Sequence, residues 1–363
     1  MSLVVINRRR DGRRVRPRTG RIQKAAGDDV LALADSVAPG LRRQVSRLLR
    51  LLTLEFQRQV SESGLVALID AGDTTAIEEA LTQVLSSEVF TRQSTEILSE
   101  FEVEFQIGSD ATTEGLTRVI DSEFKQTLRR QGIRPGSARY EQVMTGLDTL
   151  NIKGRLAFDR LNPRVVELLN NRGLLFQQRI QSQSIRTVQR VVRDGILRQL
   201  TAEQLADELR QVVSLTERQR LGMKKLGDSM RQAGRTRRQI KDAQRAYRER
   251  AIWQRADTIA RTETVRIQNE ARELQWRRAI DDGILGTATR REWVVTRDDR
   301  LCNFCRPMGG KLTGINEPWI TEMRGREAWT PQDIHPRCRC TERLIEIELG
   351  PRLAVDDVDN IAA

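Results

Sequence analysis

Five residues that can bind a metal ion lie in one short stretch near the C-terminus. All four cysteines of the 363-residue chain and its single histidine fall there: Cys302, Cys305, His335, Cys338 and Cys340. Zinc prefers thiolate and imidazole ligands at tetrahedral corners, and a CxxC turn supplies two of them. The second segment, HPRCRC, offers three donors for the two remaining corners. If it is extended, Cys338 and Cys340 point to the same face, so the spacing leaves open which of the five is not a ligand.

Disulfides or free thiols are the alternatives to zinc. The opening residues do not resemble a secretory signal, so we expect a reducing compartment, which disfavours disulfides. Four protein ligands would close the coordination sphere, which indicates one structural zinc ion rather than a catalytic one. With His335 on the metal, no histidine is left as a general base for HNH-type nuclease or Ser-His hydrolase chemistry. We therefore predict no catalytic residues and no small-molecule substrate.

The composition favours long, solvated helices in two or three domains. Charged residues make up 31% of the chain and aromatic residues only 4%, with a net charge of +12 and a pI of about 10.3. Such a charge favours polyanionic partners or acidic protein surfaces. No apolar run approaches the roughly 18 to 20 residues of a membrane-spanning helix. We expect a soluble intracellular protein.

Residues 1–27 are predicted to be a disordered, arginine-rich arm. Residues 7–24 hold eight arginines and one lysine against one aspartate, and like charges repel rather than pack. The arginines could neutralise DNA phosphates or dock on an acidic protein patch; the alternative is a solvated tail. The predicted contact residues are Arg8, Arg9, Arg10, Arg13, Arg14, Arg16, Arg18 and Arg21.

Residues 28–133 are predicted to form an N-terminal helical domain. Leu41, Val45, Leu48, Leu52 and Phe56 fall on one apolar helical stripe, which we expect to begin at Pro39-Gly40 and to end near Gly64. A second helix should run from Thr74 to Phe105 with a solvated glutamate face that includes Glu104. Gly108-Ser109-Asp110 should break it before a third helix, Leu116 to Leu128.

Residues 134–162 are predicted to be a linker and helical connection, and residues 163–286 a helical middle domain. Pro163 should open a long helix, and Thr201 with Gln204 forms a capping-box pattern. Residues 217–250 carry twelve basic residues against four acidic ones. That stretch is either a solvated helical hairpin or a surface for DNA or a partner protein.

The helix predicted at residues 251–281 has a narrow packing seam with a 4-3-4-3 spacing: Ala260, Thr264, Ile267, Ala271 and Leu274. The other face of this helix carries Arg261, Glu263 and Asn269. These residues could form an active site or anchor the helix to the metal-binding segment. We favour the anchor, with Trp293 packed against the seam and the loop residues Asp298, Asp299 or Arg300 as charged partners.

Residues 287–349, the C-terminal module, are predicted to form a small antiparallel sheet with the metal ligands at its edges. Strands are expected at Glu292–Val295 and Arg343–Glu348, and residues 350–363 form an acidic tail. The predicted fold class is therefore mainly α, with elongated helical N-terminal and middle regions and a small C-terminal zinc-stapled α+β module.

The ordered motifs of the C-terminal half resemble those of a known family. The motifs are ARTET (260–264), REW (291–293), DDRLCNFC (298–305), a Gly-Lys turn and HPRCRC (335–340). They resemble the phage Mu F-like minor head (head morphogenesis) proteins from about residue 160 to residue 348.

The resemblance implies a virion assembly protein that joins portal, scaffold and inner capsid proteins and contacts double-stranded DNA without sequence specificity. It implies location in the inner head near the portal, and in the host cytoplasm during assembly. The alternative is a zinc-containing nucleic-acid enzyme or regulator, such as a nuclease or an anti-repressor, although no clustered acidic or helix-turn-helix arrangement supports it. ADP-ribosyl transfer is a remote third hypothesis, without a visible motif.

Overall fold

The computed structural model describes residues 22–59, 62–71, 74–198, 200–296, 301–321 and 327–353. Helices make up 71% of the structure, which confirms a mainly α protein with a small C-terminal antiparallel sheet. The described helices are α1 Ile22–Gln59, α2 Glu62–Asp70, α3 Thr74–Leu85, α4 Glu88–Arg130, α5 Ala138–Thr149, α6 Ile152–Arg155, α7 Pro163–Leu197, α8 Ala202–Val212, α9 Glu217–Gln232 and α10 Arg237–Asp281. None of these helices is apolar enough over a sufficient length to cross a membrane.

Five short strands form the sheets of the C-terminal module: β1 Arg290–Val294, β2 Leu312–Gly314, β3 Trp319–Ile320, β4 Glu327–Ala328 and β5 Thr341–Ile345. The first sheet is antiparallel in the order β2-β1-β5, and β3 pairs with β4 in a second one. Trp293 lies opposite Glu342 in the register of β1 and β5. Strand β5 begins and ends earlier than predicted. It ends at Ile345 because the positive φ of 52° at Glu346 terminates the extended backbone.

Helix α1 starts earlier than the sequence predicts and passes through Pro39-Gly40. The apolar stripe is correct, since Leu41, Val45, Leu48, Leu52 and Phe56 are all fully buried. Gly40 is therefore not a helix start, and it lies next to the Glu100 carboxylate, whose oxygen would be 2.9 Å from an added Cβ. Gly64, the predicted end, lies inside α2, since α1 ends at Gln59.

Helix α4 includes two segments that the sequence predicts to be separate helices. The predicted second helix is split at Ser86-Ser87, and α4 then continues through Gly108-Ser109-Asp110 without a break. A Cβ at Gly108 would lie 2.8 Å from the Cα of Gln268 in α10, so this glycine permits close helix packing. Glu104 is fully buried and accepts a hydrogen bond from Gln268 Nε2 at 3.0 Å, which corrects its predicted place on a solvated face.

Three predicted helix boundaries are confirmed. Helix α7 begins at Pro163. The capping box of Thr201 and Gln204 opens α8, with both reciprocal hydrogen bonds present. Helix α10 ends just before Gly283, whose φ of 68° places it in the left-handed region.

The seam predicted on α10 is only part of its buried surface. Ala260, Thr264, Ile267 and Ala271 are fully buried and Leu274 is half-buried. However, every residue from 262 to 273 is buried, so this segment is covered on all of its faces. The seam residues are therefore buried as expected, but the buried surface of α10 is wider than the seam.

The chain folds into two compact units, each built from separate segments. Among the described residues, one unit contains residues 22–37, 102–160 and 262–353, and the other contains Ala38–Phe101 and Leu161–Arg261. The consecutive domains predicted from the sequence, with boundaries after residues 27, 133, 162, 286 and 349, follow chain order instead. That division stays a prediction.

Candidate metal centre

The first half of the centre is the turn that holds Cys302 and Cys305. The backbone N–H of Cys305 donates a hydrogen bond to Cys302 Sγ at 3.3 Å, and a 3-10 turn, Arg306–Met308, follows. Cys305 is buried, Cys302 is half-buried, and Phe304 between them is exposed.

The second half brings His335 and Cys338 to the same place. His335 Nε2 lies 3.0 Å from Cys302 Sγ and 3.3 Å from Cys305 Sγ. Its Nδ1 lies 2.8 Å from the carbonyl oxygen of Pro336, and an N–H there leaves Nε2 as the metal-binding atom. Arg337 turns the chain with a φ of 60°, and Cys338 Sγ then lies 3.6 Å from Cys305 Sγ.

The donor atoms form two groups of three that share Cys305. Cys302, Cys305 and His335 form one group, and Cys305, Cys338 and Cys340 form the other; within each, the ligand atoms lie within 4.8 Å of one another. Ligands of one tetrahedral zinc ion would be roughly 3.3 to 3.8 Å apart. Two of the observed distances, 3.3 and 3.6 Å, fall within this range, and the distance from Cys302 Sγ to His335 Nε2 is shorter at 3.0 Å. The cluster could therefore hold a metal ion, and the structure brings all five predicted residues together.

The thiols of the second group influence one another's pKa values. Hydrogen bonds with Cys338 and Cys340, and then burial, raise the pKa of Cys305 far above its usual value. The pKa of Cys340 is lowered to about 3, because its sulfur accepts hydrogen bonds from Cys305 and Cys338. Three sulfurs in one buried space cannot ionise independently. A divalent cation would stabilise all of the thiolates at once, which is a second indication that the donor set suits a metal.

A small aromatic cluster surrounds the buried cysteines. Trp293 and Trp319 meet edge to face with ring centroids 5.3 Å apart. Both lie in one core cluster with Met308, Ala328 and the cysteines. This apolar cluster is small, so the C-terminal module needs other sources of stability.

A buried ionic network lies beside this cluster. The guanidinium of Arg291, which is fully buried, contacts the carboxylates of Glu273 from α10 and Glu342 from β5, the latter at 3.2 Å. It also donates to the carbonyl oxygens of Glu317 at 2.5 Å and Trp329 at 3.2 Å. Trp319 Nε1 donates to Glu342 at 2.5 Å. A single arginine therefore joins α10, both long strands and two loops.

The carboxyls of this network have raised pKa values. Burial raises the pKa of Glu273 to about 7, and the nearby Glu342 adds to the effect against the opposing influence of Arg291. Burial also raises the pKa of Glu342. Burial thus destabilises the charged forms of both carboxyls, and the nearby arginines only partly offset this effect.

Helix α10 is joined to the metal-binding segment through Gln332. Arg266 donates to the Gln332 carbonyl oxygen at 2.7 Å, and Asn269 Nδ2 donates to its Oε1 at 2.5 Å. Gln332 Nε2 in turn donates to the carbonyl oxygen of Cys340 at 2.8 Å. Arg272 adds a bond to Thr341 Oγ1 at 2.5 Å.

Sequence reasoning missed Arg266, Arg272, Arg291 and Gln332. The spacing of Arg266, Asn269 and Arg272 at i, i+3 and i+6 could have indicated one polar face of α10. Nothing in the sequence pattern indicates that Arg291 or Gln332 is buried.

The predicted anchor residues lie in different places. Arg261 is exposed and pairs with Asp257 at 3.2 Å, whereas Glu263 is buried and pairs with Arg266 at 3.0 Å. Asn269 contacts Gln332, and Trp293 lies among the cysteines rather than on the α10 seam. The expected partners Asp298, Asp299 and Arg300, like the arginines of the N-terminal arm, fall outside the described residues. The anchor role of the four residues stays a prediction.

Fold and site together define a helical protein whose C-terminal antiparallel sheet carries a Cys/His centre able to hold a metal ion. Residues 224–343 match the model of a family described as phage Mu protein F like protein. This match confirms the resemblance over a third of the chain, although it begins later than residue 160. It supports a phage head morphogenesis protein. No curated protein and no solved structure matches the chain.

Proposed function

We propose that this protein is a minor head protein of a tailed bacteriophage, which joins portal, scaffold and inner capsid proteins during head assembly. The match of residues 224–343 to the phage Mu F-like family carries the proposal. The protein would assemble in the host cytoplasm and remain in the virion, inside the head near the portal.

The proposed cofactor is one structural zinc ion. Cys302, Cys305, His335 and one of Cys338 or Cys340 would hold it, because these donors are soft, closely spaced and arranged around Cys305. The ion would fix the turns that carry its ligands, since metal binding and folding are coupled in small metal domains. The aromatic cluster and the Arg291 network would support the same turns from the other side.

We propose no catalytic activity. The imidazole Nε2 of His335, the single histidine of the chain, faces two cysteine sulfurs. A histidine engaged in this way does not serve as a general base. A nuclease-like enzyme is the competing hypothesis, and DNA cleavage by the purified, zinc-loaded protein would favour it.

The arginine-rich arm is proposed to bind DNA or an acidic protein surface. Arg8, Arg9 and Arg10 and the arginines that follow them would neutralise phosphates, with binding that falls steeply as salt increases and is indifferent to sequence. This contact is separate from the C-terminal module, so a defect in one is not expected to reproduce a defect in the other.

The head proposal is tested by tagging the protein in infected cells. We expect the tagged protein to copurify with portal and scaffold, and to be present at a few copies per purified head by quantitative mass spectrometry. A variant with Cys305→Ser should be lost from heads, whereas Phe304→Ser, an exposed change in the same turn, should be retained. Absence of the parent protein from both complexes and heads would contradict the proposal.

A further inference from the structure

The start of α10 and the whole of α9 form an antiparallel helical hairpin with a defined packing face. Gln219 Nε2 donates to the carbonyl oxygen of Ala251 at 2.7 Å. A Cβ on Gly222 would lie 2.2 Å from Tyr247 Oη, and one on Gly227 would lie 2.5 Å from Gln244 Nε2. These contacts fix which side of each helix faces its neighbour.

Five basic residues of α10 lie along one side of this hairpin, next to the packing face. They follow one another at helical spacings of 1, 3, 4 and 3, which keeps them on one side: Arg237, Arg238, Lys241, Arg245 and Arg248. We call this set the basic stripe. Its first and last members are eleven residues apart along the helix, which corresponds to roughly 16 Å. Helical periodicity places Lys224 and Arg231 of α9 on the same side of the hairpin.

Most of the charge on the basic stripe is not neutralised. Arg237, Arg238 and Lys241 are exposed, and their side chains have no ion pair or hydrogen bond within the described part of the chain. Arg245 has only a long contact to Asp242 at 3.9 Å between two exposed side chains, and Arg248 lies 3.4 Å from Glu249. The buried Arg220 of α9, by contrast, is paired with three carboxylates.

The chemistry of the stripe suits a nucleic-acid backbone better than a protein. Specific protein interfaces need apolar or aromatic anchors in a desolvated centre, and the stripe has none among its five positions. Phosphate contacts need only arginine and lysine groups at intervals along a rigid support. No aromatic side chain alternates with the cations, so the stacking that single strands require is missing from this surface.

We infer that the basic stripe binds the phosphate backbone of double-stranded DNA without sequence specificity. The inference rests on the proposed function in one respect, because a head filled with DNA is where the stripe would meet its ligand. The phosphate-binding chemistry itself is argued from the stripe alone. The stripe is a contact separate from the N-terminal arm, and it lies on a rigid hairpin instead of a terminal segment.

The test uses the full chain and a fluorescently labelled random duplex of about 30 base pairs, with binding followed by anisotropy at several salt concentrations. The variant Arg237→Ala, Arg238→Ala, Lys241→Ala should weaken binding by about tenfold or more at low salt and reduce the salt slope by about 2 to 3. The matched control Arg218→Ala, Lys225→Ala, Arg250→Ala removes three exposed cations from the opposite side, and should change affinity by less than about threefold.

A residue-level measurement separates the stripe from the arm. Lysine acetylation read by mass spectrometry should show Lys241 protected by duplex DNA, with Lys225 still reactive. Equal losses in both triple variants, or equal reactivity of the two lysines, would overturn the inference. Protection of Lys241 by polyglutamate but not by DNA would overturn it in favour of an acidic protein partner. DNA binding through the stripe by a protein absent from heads would contradict the proposed function alone.

Discussion

Two regions of the molecule are stabilised in different ways. Along the apolar stripe of α1, side chains such as Leu48 are fully buried. Beside the metal centre, an arginine and a glutamate, Arg291 and Glu342, are among the most buried side chains, and they lie next to a cluster of cysteines. The α1 stripe depends on apolar area, whereas the surroundings of the metal centre also depend on directional bonds between few groups.

This difference predicts different responses to single substitutions. Apolar burial is non-directional and roughly proportional to area, so a large-to-small substitution costs the lost area and the cavity that remains. A buried charge network fails when one member is removed, because the remaining charges stay buried without a partner. The C-terminal module should therefore be the more sensitive region.

The largest expected effect is loss of the metal. Purified protein should contain about one zinc per chain, and Cys305→Ser, which removes the residue common to both donor groups, should abolish it. Binding free energies of structural zinc are about 10–16 kcal/mol, so the C-terminal module should unfold while the helices of the other unit persist. Metal analysis and limited proteolysis measure this, with Phe304→Ser as the control. Metal-free protein with four reactive thiols would contradict the prediction.

Removal of Arg291 should have the next largest effect. Arg291→Met leaves Glu273 and Glu342 buried near each other without their shared cation, and we expect a loss of about 3–5 kcal/mol in the free energy of unfolding. Arg290→Met changes the neighbouring exposed residue of β1 and should cost less than about 1 kcal/mol. Urea denaturation with zinc in excess measures both. Similar values for the two variants would show that the network is not what holds the C-terminal module.

On the apolar stripe of α1, Leu48→Ala should cost about 3 kcal/mol in the free energy of unfolding through lost burial and a residual cavity. Leu54→Ala, on the exposed side of the same helix, should cost less than about 0.5 kcal/mol. Zinc content should be unchanged in both variants. If Leu48→Ala releases zinc, the two units are not stabilised independently.

The smallest effect is a pH dependence that belongs to Glu273. Its pKa is raised from 4.5 to about 7 in the folded protein, so its stabilising contribution is complete below about pH 4.5 and is lost as the pH rises through about 7. Between about pH 5.5 and about pH 8, the parent should lose on the order of 2 kcal/mol more than Glu273→Gln does. Parallel stability curves for the two proteins, measured with excess zinc, would contradict the assignment.

The sequence predicted well what depends on residue type and spacing. The cysteine cluster, the α1 stripe, the Pro163 helix start and the Thr201 cap all follow local rules that hold wherever the segment packs. Gly108 shows the opposite case. From sequence alone, a glycine in a helix predicts a break. In the structure, Gly108 instead allows the backbone of α10 to pack closely against α4, and this role depends on a tertiary contact that the local sequence does not indicate.

The buried charges were beyond sequence reasoning for the same kind of reason. Arg291, Arg266 and Glu104 belong to residue types that are almost always exposed, so a pattern-based interpretation assigns them to water. Their partners, such as Glu273 and Gln332, lie far away along the chain or on another element. The 4-3-4-3 seam of α10 is buried as expected, but the burial of polar residues on its other faces, such as Asn269 and Arg272, depends on hydrogen bonds that no periodicity predicts.

The strand edges of the C-terminal module bear on how it behaves at high concentration. Strand β5 is buried over all five residues although it lies at the border of its sheet, and the opposite border strand, β2, offers only three residues. Open edges are the surfaces through which sheet proteins add strands from other molecules and aggregate. With one border strand buried and the other short, the three-stranded sheet offers little open edge for the addition of strands from other molecules.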